Sequence, residues 1–127
     1  MTRGELVVLD TNILLTATDR SRPGHERARR LVPRCLQYGI HPAVCGQILR
    51  EYLVVATRPP AANGLGLVAR DALRNVNRFR GLLVILPETE QVLDELVALV
   101  GTAGVTGTRV HDANIAAVMN AHGVPTL

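Results

Sequence analysis

The chain has 127 residues, 47% apolar, 20% charged and only 2% aromatic, a composition that fits one globular domain over 1–127 and excludes intrinsic disorder. All 14 basic residues are arginine against 11 acids, a net charge of +3 that favours phosphate-bearing partners but is too small to decide a function. The longest apolar stretches, such as Leu82 to Leu86, fall far short of the roughly 20 residues that cross a bilayer, and Met1-Thr-Arg-Gly-Glu5 lacks the layout of a secretion signal. A cytoplasmic location is therefore expected. Cys35 and Cys45 fit neither a disulfide framework nor a zinc motif and read as buried free thiols.

Leu6 to Leu9 is apolar without alternation, as in a strand buried on both faces of a parallel sheet. It stops at Asp10, and Thr11 to Leu15 predict a turn into a short helix broken by Ser21-Arg22-Pro23-Gly24. Ala28, Leu31, Val32, Cys35 and Leu36 recur at helical spacing, predicting a helix from about His25 to Tyr38 with Pro33 on its polar side. Ile40 to Val44 reads as a second strand. A helix follows with Cys45, Ile48, Leu49, Tyr52, Val55 and Ala56 on one face, ended by Arg58-Pro59-Pro60. Beyond the loop at Ala61 to Gly66, a third long helix is predicted over Leu67 to Phe79, closed by Gly81, with Ala69, Ala72, Leu73, Val76 and Phe79 packed. Leu82 to Leu86 is a third strand, and Thr89 an N-cap for a helix carrying Val92, Leu93, Leu96, Val97 and Val100. Gly101 to Thr108 reads as a loop, Val110 to His122 as the last helix, and Val124 to Leu127 as the opening of a fourth strand. Strands joined only by helices imply a three-layer α/β/α sandwich around a parallel sheet.

Three acids stand where a purely structural design would avoid them. Asp10 follows a buried strand and so falls at the carboxyl edge of the sheet, where crevices form; an N-cap for the next helix is the alternative role. Glu51, three residues after Ile48, borders the apolar stripe of its helix, with a solvated rim position as the alternative. Asp112 shares one face with Ile115, Ala116 and Met119, and its first-turn position also suits the helix dipole. Three carboxylates from distant parts of the chain, brought to one sheet edge, point to a hard divalent cation such as Mg²⁺ or Mn²⁺.

Leu9-Asp10-Thr11-Asn12, the segment Gln47 to Pro59 containing Glu51, and Val110-His111-Asp112-Ala113 before Ile115-Ala116-Ala117 resemble the PIN-domain family, in particular VapC-type ribonuclease toxins of toxin-antitoxin pairs. The similarity runs over essentially the whole chain, including Asn63-Gly64-Leu65-Gly66. The resemblance implies that Asp10, Glu51 and Asp112 are metal-binding acids, with Thr11 or Asn12 orienting them. It also implies a homodimer and a small antitoxin that inserts a segment into the acidic groove. The family's fourth acid, in an Asn-x-x-Asp-Phe-like segment after the last strand, has no counterpart before Leu127, so that strand is expected to be incomplete. Asn114 projects roughly 160° from Asp112 and is no substitute.

The chemistry implied is metal-assisted hydrolysis of RNA, leaving 5′-phosphate and 3′-hydroxyl ends. Arg109 and Arg58, close to the motifs, are candidates for neutralising backbone phosphates, and surface arginine is the alternative for each. With aromatics so few, base stacking is not the main recognition device. His111 precedes Asp112 but is expected on another face, as a solvated or capping histidine rather than a ligand. A phosphotransferase using Asp10 as nucleophile would need an acid two residues later, where this chain has Asn12. An inactive module that only binds an antitoxin or RNA is the remaining rival.

Overall fold

The computed structural model describes residues 5–125; Met1 to Gly4, and Thr126 and Leu127 of the expected fourth strand, lie outside the described residues. Three strands, β1 (Glu5–Val8), β2 (Ile40–Cys45) and β3 (Val84–Leu86), pair in parallel in the order β1-β2-β3. Glu5 stands opposite Ile40 and Ala43 opposite Val84, which brings the carboxyl ends of all three strands to one edge. The helices are α1 (Thr11–Thr18), α2 (His25–Gln37), α3 (Gly46–Thr57), α4 (Ala69–Leu82), α5 (Glu90–Ala103) and α6 (Arg109–His122). The expected α/β/α sandwich is the architecture found.

The core gathers Val8 and Leu9 from β1 and its exit, Val44 from β2, and Ile48, Tyr52 and Ala56 from α3. These α3 residues match the predicted apolar face, because a helix lying on a two-sided sheet must bury a continuous stripe. Thr89 caps α5 as expected, accepting a hydrogen bond from the Val92 N–H. Cys35 and Cys45 are both free and buried. After α6 the chain returns beside β1, where the Pro125 carbonyl accepts from the Val8 N–H at 2.8 Å.

Some boundaries differ from expectation. Gly81 does not close α4, which begins at Ala69 and runs on to Leu82, so β3 starts only at Val84. Gly101 likewise sits inside α5, whose end comes at Gly104 with φ 65°. A glycine stops a helix where its backbone turns left-handed, and Gly104 does so whereas Gly81 and Gly101 do not. Leu73, expected on the packed side of α4, is half exposed, as are Leu93 and Val97 among the apolar residues of α5. Among the described residues no helix is long and apolar enough to cross a membrane.

Candidate active site

The sheet's carboxyl edge places polar side chains from α1, α3 and α6 around one cavity. Asp10 occupies the N-cap position of α1 with extended backbone, φ −72° and ψ 153°, yet its carboxylate makes no capping hydrogen bond. Among the described residues it has no side-chain hydrogen-bond or ion-pair partner. An aspartate that forgoes a cap worth about 1 kcal/mol is not explained by capping. Asp10 lines a cavity of about 530 Å³ together with Thr11, Asn12, Gln47, Glu51 and His111, and Arg50 and Arg58 border it.

Glu51, half-buried on α3, is held at both oxygens. Its Oε2 accepts from the Thr11 hydroxyl at 3.0 Å and its Oε1 from the Gln47 amide at 2.7 Å. Gln47 lies one turn earlier on α3 and is only 2% exposed. The same amide nitrogen donates to the His111 carbonyl at 2.8 Å, while the Gln47 Oε1 accepts from Asn114 at 2.6 Å. Gln47 thereby ties α3 to the first turn of α6. Glu88, just past β3, accepts from the Gln47 backbone N–H at 3.2 Å and from Asn114 at 3.4 Å, putting negative charge where the α3 dipole favours it. Burial pushes the neighbouring Cys45 thiol above its ordinary pKa, and the Glu88 charge adds to the effect.

Asp112 stands elsewhere. It is exposed and lines a second depression, of about 340 Å³, with Arg109, Leu99 and Ala103. The buried residues of α6 are Ala117 and Val118, on the side of the helix that carries Asn114. The stripe of Asp112, Ile115, Ala116 and Met119 is offset from that side, so the core-facing placement expected for Asp112 gives way to a position beside α5. His111 is exposed and lines the Asp10 cavity, on a different face of α6 from Asp112. Among the described residues no group of three or more His, Cys, Asp or Glu side chains is arranged to hold a metal ion. The pair Asp10 and Glu51 remains a fitting donor set, since Mg²⁺ is commonly held by one or two carboxylates with water and substrate phosphate completing its shell.

Sequence reasoning named Asp10, Thr11, Asn12, Glu51 and Arg58, all of which meet at this cavity. Arg109 and Asp112 do not. Gln47, Asn114 and Glu88 were missed as site residues. The available signal for Gln47 was an amide one turn before Glu51, directly preceding the apolar pair Ile48-Leu49.

A family model for the PIN domain matches residues 7–127. The chain belongs to the PIN-domain family. Ribonuclease VapC24 of Mycobacterium tuberculosis is 30% identical to it over 125 aligned positions, covering 94% of this chain and 81% of that protein, so this PIN domain falls among VapC-like ribonucleases. Solved structures share its fold. Mycobacterium tuberculosis VapC20, described as a sarcin-ricin loop cleaving toxin, superposes with a TM-score of 0.69 at 16% identity over 93% of this chain and 84% of its own. VapBC2 from Rickettsia felis, bound to a DNA fragment from its promoter, gives 0.68 at 15% identity over 94% and 83%.

Proposed function

We propose that this PIN domain is a metal-dependent endoribonuclease of the VapC type, with Asp10 and Glu51 holding Mg²⁺ or Mn²⁺. The observation that carries this reading is the Asp10 carboxylate at a helix start, without a partner among the described residues and lining the same cavity as a Glu51 fixed from two sides. When bound, the ion would supply an activated water and neutralise charge on the scissile phosphate. Thr11 and Gln47 hold the Glu51 carboxylate in place for that task. Arg50 and Arg58, at the cavity border, meet the backbone phosphates on either side. Asp112, the third acid nominated by the family motif, enters the proposal separately because it lines the depression beside α5 and not the Asp10 cavity.

The partners proposed are RNA as substrate, a cognate antitoxin and a second copy of the chain, all in the cytoplasm. The VapBC complex among the structural relatives supports the antitoxin. Cleavage of end-labelled RNA with Mn²⁺ or Mg²⁺ tests the enzyme, with Mn²⁺ binding followed by calorimetry. Asp10→Asn and Glu51→Gln are each expected to lose at least about 100-fold in rate and to weaken Mn²⁺ binding, on the scale of a lost catalytic group. Asp10→Asn cleaving as fast as the unchanged protein would overturn the reading. An equal loss in Asp112→Asn places the third acid in the mechanism, and an unchanged rate removes it.

The second reading, a binding module without cleavage, is favoured by the absence of a three-acid group among the described residues. Its signature is tight antitoxin or RNA binding with no cleavage at any concentration of either metal.

A further inference from the structure

A second cavity, larger than the acidic one, lies on another part of the surface. A cleft of about 1100 Å³ opens between the start of α2, the end of α1 and the second half of α4. Its walls carry Arg20, Arg22, Arg27, Arg29 and Arg78 against a single carboxylate, Glu26. Arg22 pairs with Asp19 at 3.5 Å and Arg29 with Glu26 at 3.2 Å. Arg20, Arg27 and Arg78 are exposed and have no carboxylate partner among the described residues. Guanidinium groups on facing walls repel one another, so the arrangement costs free energy until an anion lies between them. The N-terminus of α2 opens into the same space and adds its positive dipole end.

We infer that this cleft binds the phosphodiester backbone of single-stranded RNA, as an anchoring site separate from the acidic cavity. Guanidinium forks match phosphate oxygens two at a time, and charges spread over three elements suit a succession of phosphates better than one small anion. The uncharged side chains of the cleft are tied to the core. Thr18 and Asn75 are both bonded to the Tyr52 hydroxyl, at 2.9 and 3.0 Å, and the Phe79 ring stands edge-on to Tyr52. The choice of RNA over other polyanions rests on the nuclease reading, because α1 borders both sites. Thr11 and Asn12 at its start line the acidic cavity, and Ala17 and Thr18 at its end line the cleft. Eight residues rise about 12 Å, a span that a few nucleotides of single strand cover.

The test is fluorescence anisotropy with a labelled 20-nucleotide polyuridylate in EDTA, where cleavage is suppressed, over a range of salt. The variant Arg20→Ala/Arg27→Ala/Arg78→Ala is compared with Arg34→Ala/Arg70→Ala/Arg80→Ala, which removes the same charge outside the cleft. Circular dichroism checks that both fold. The cleft variant should lose about tenfold or more in affinity at moderate salt, and its salt slope should fall by about 2, at about 0.7 per phosphate contact. Equal losses in the two triple variants, or none in the cleft variant, would overturn the site. So would displacement of polyuridylate from the unchanged protein by polyglutamate at equal charge concentration, since that assigns the cleft to an acidic protein segment. Cleft-dependent RNA binding by a protein that cuts nothing with Mn²⁺ would leave the anchor standing and sink the nuclease reading alone.

Discussion

Gln47 carries three of the hydrogen bonds that organise the acidic cavity, and it does so from a nearly water-free position. A buried group whose partner is removed keeps its desolvation cost without the compensating bond. Gln47→Ala removes the donor to the Glu51 Oε1 and to the His111 carbonyl and leaves the Asn114 amide only its longer bond to Glu88, so a loss of about 2 kcal/mol is expected, read as a lower urea midpoint with an unchanged m-value. Cleavage should fall as well, because Glu51 then rests on Thr11 alone. A variant that unfolds like the unchanged protein would show that the amide is replaceable by water. The acids Asp10 and Glu51 were legible in the sequence because a charge after an apolar run, or beside an apolar stripe, breaks a pattern. An uncharged amide breaks none, which is why Gln47 escaped notice. Asn114 was weighed only as a substitute acid, whereas its contribution is as a donor.

Between α3 and α4 the chain makes a tight turn that fixes the Arg58 backbone at the cavity border. The Gly66 N–H donates to the Arg58 carbonyl, the Gly64 N–H to the Pro59 carbonyl and the Leu67 N–H to the Ala56 carbonyl. A Cβ at Gly64 would run into the Arg58 backbone carbonyl, whereas one at Gly104 would meet nothing within 4 Å. Gly64→Ala is therefore expected to cost about 2 to 3 kcal/mol, through backbone displacement. Gly104→Ala pays only for its left-handed backbone, about 1 kcal/mol. Thermal unfolding of the two variants measures the difference, and equal shifts would refute the steric account. Element existence was readable from periodicity, and the Pro59-Pro60 stop held, since a proline cannot continue a helix. The ends of α4 and α5 were not readable, because composition does not reveal which glycine will turn left-handed. The face on which Asp112 lies was not readable for a related reason: α6 packs against α5 and also buries Ala117 and Val118 in the core, so its apolar residues occupy two stripes, and spacing alone does not say which one is buried deepest.

At the level of the whole molecule, two-sided burial of β1 and β2 explains why their short apolar runs identified a parallel sheet. The small domain still exposes several large apolar side chains, among them Val54, Val68, Leu93 and Val97. The proposed self-association makes a measurable claim: sedimentation equilibrium at micromolar concentration should give twice the 13.7 kDa of one chain. A single-chain mass across that range would remove the second copy from the proposal. One internal feature bears on how any bound strand is presented. Glu51 and Tyr52 are consecutive on α3, and they grip opposite ends of α1, through Thr11 and Thr18 respectively. Fastened at both tips, that short helix behaves as a rigid spacer instead of a hinge. A strand tethered at the arginines would then be cut at a set number of nucleotides from its tether, and shifting the register of either grip should move the scissile position along with it.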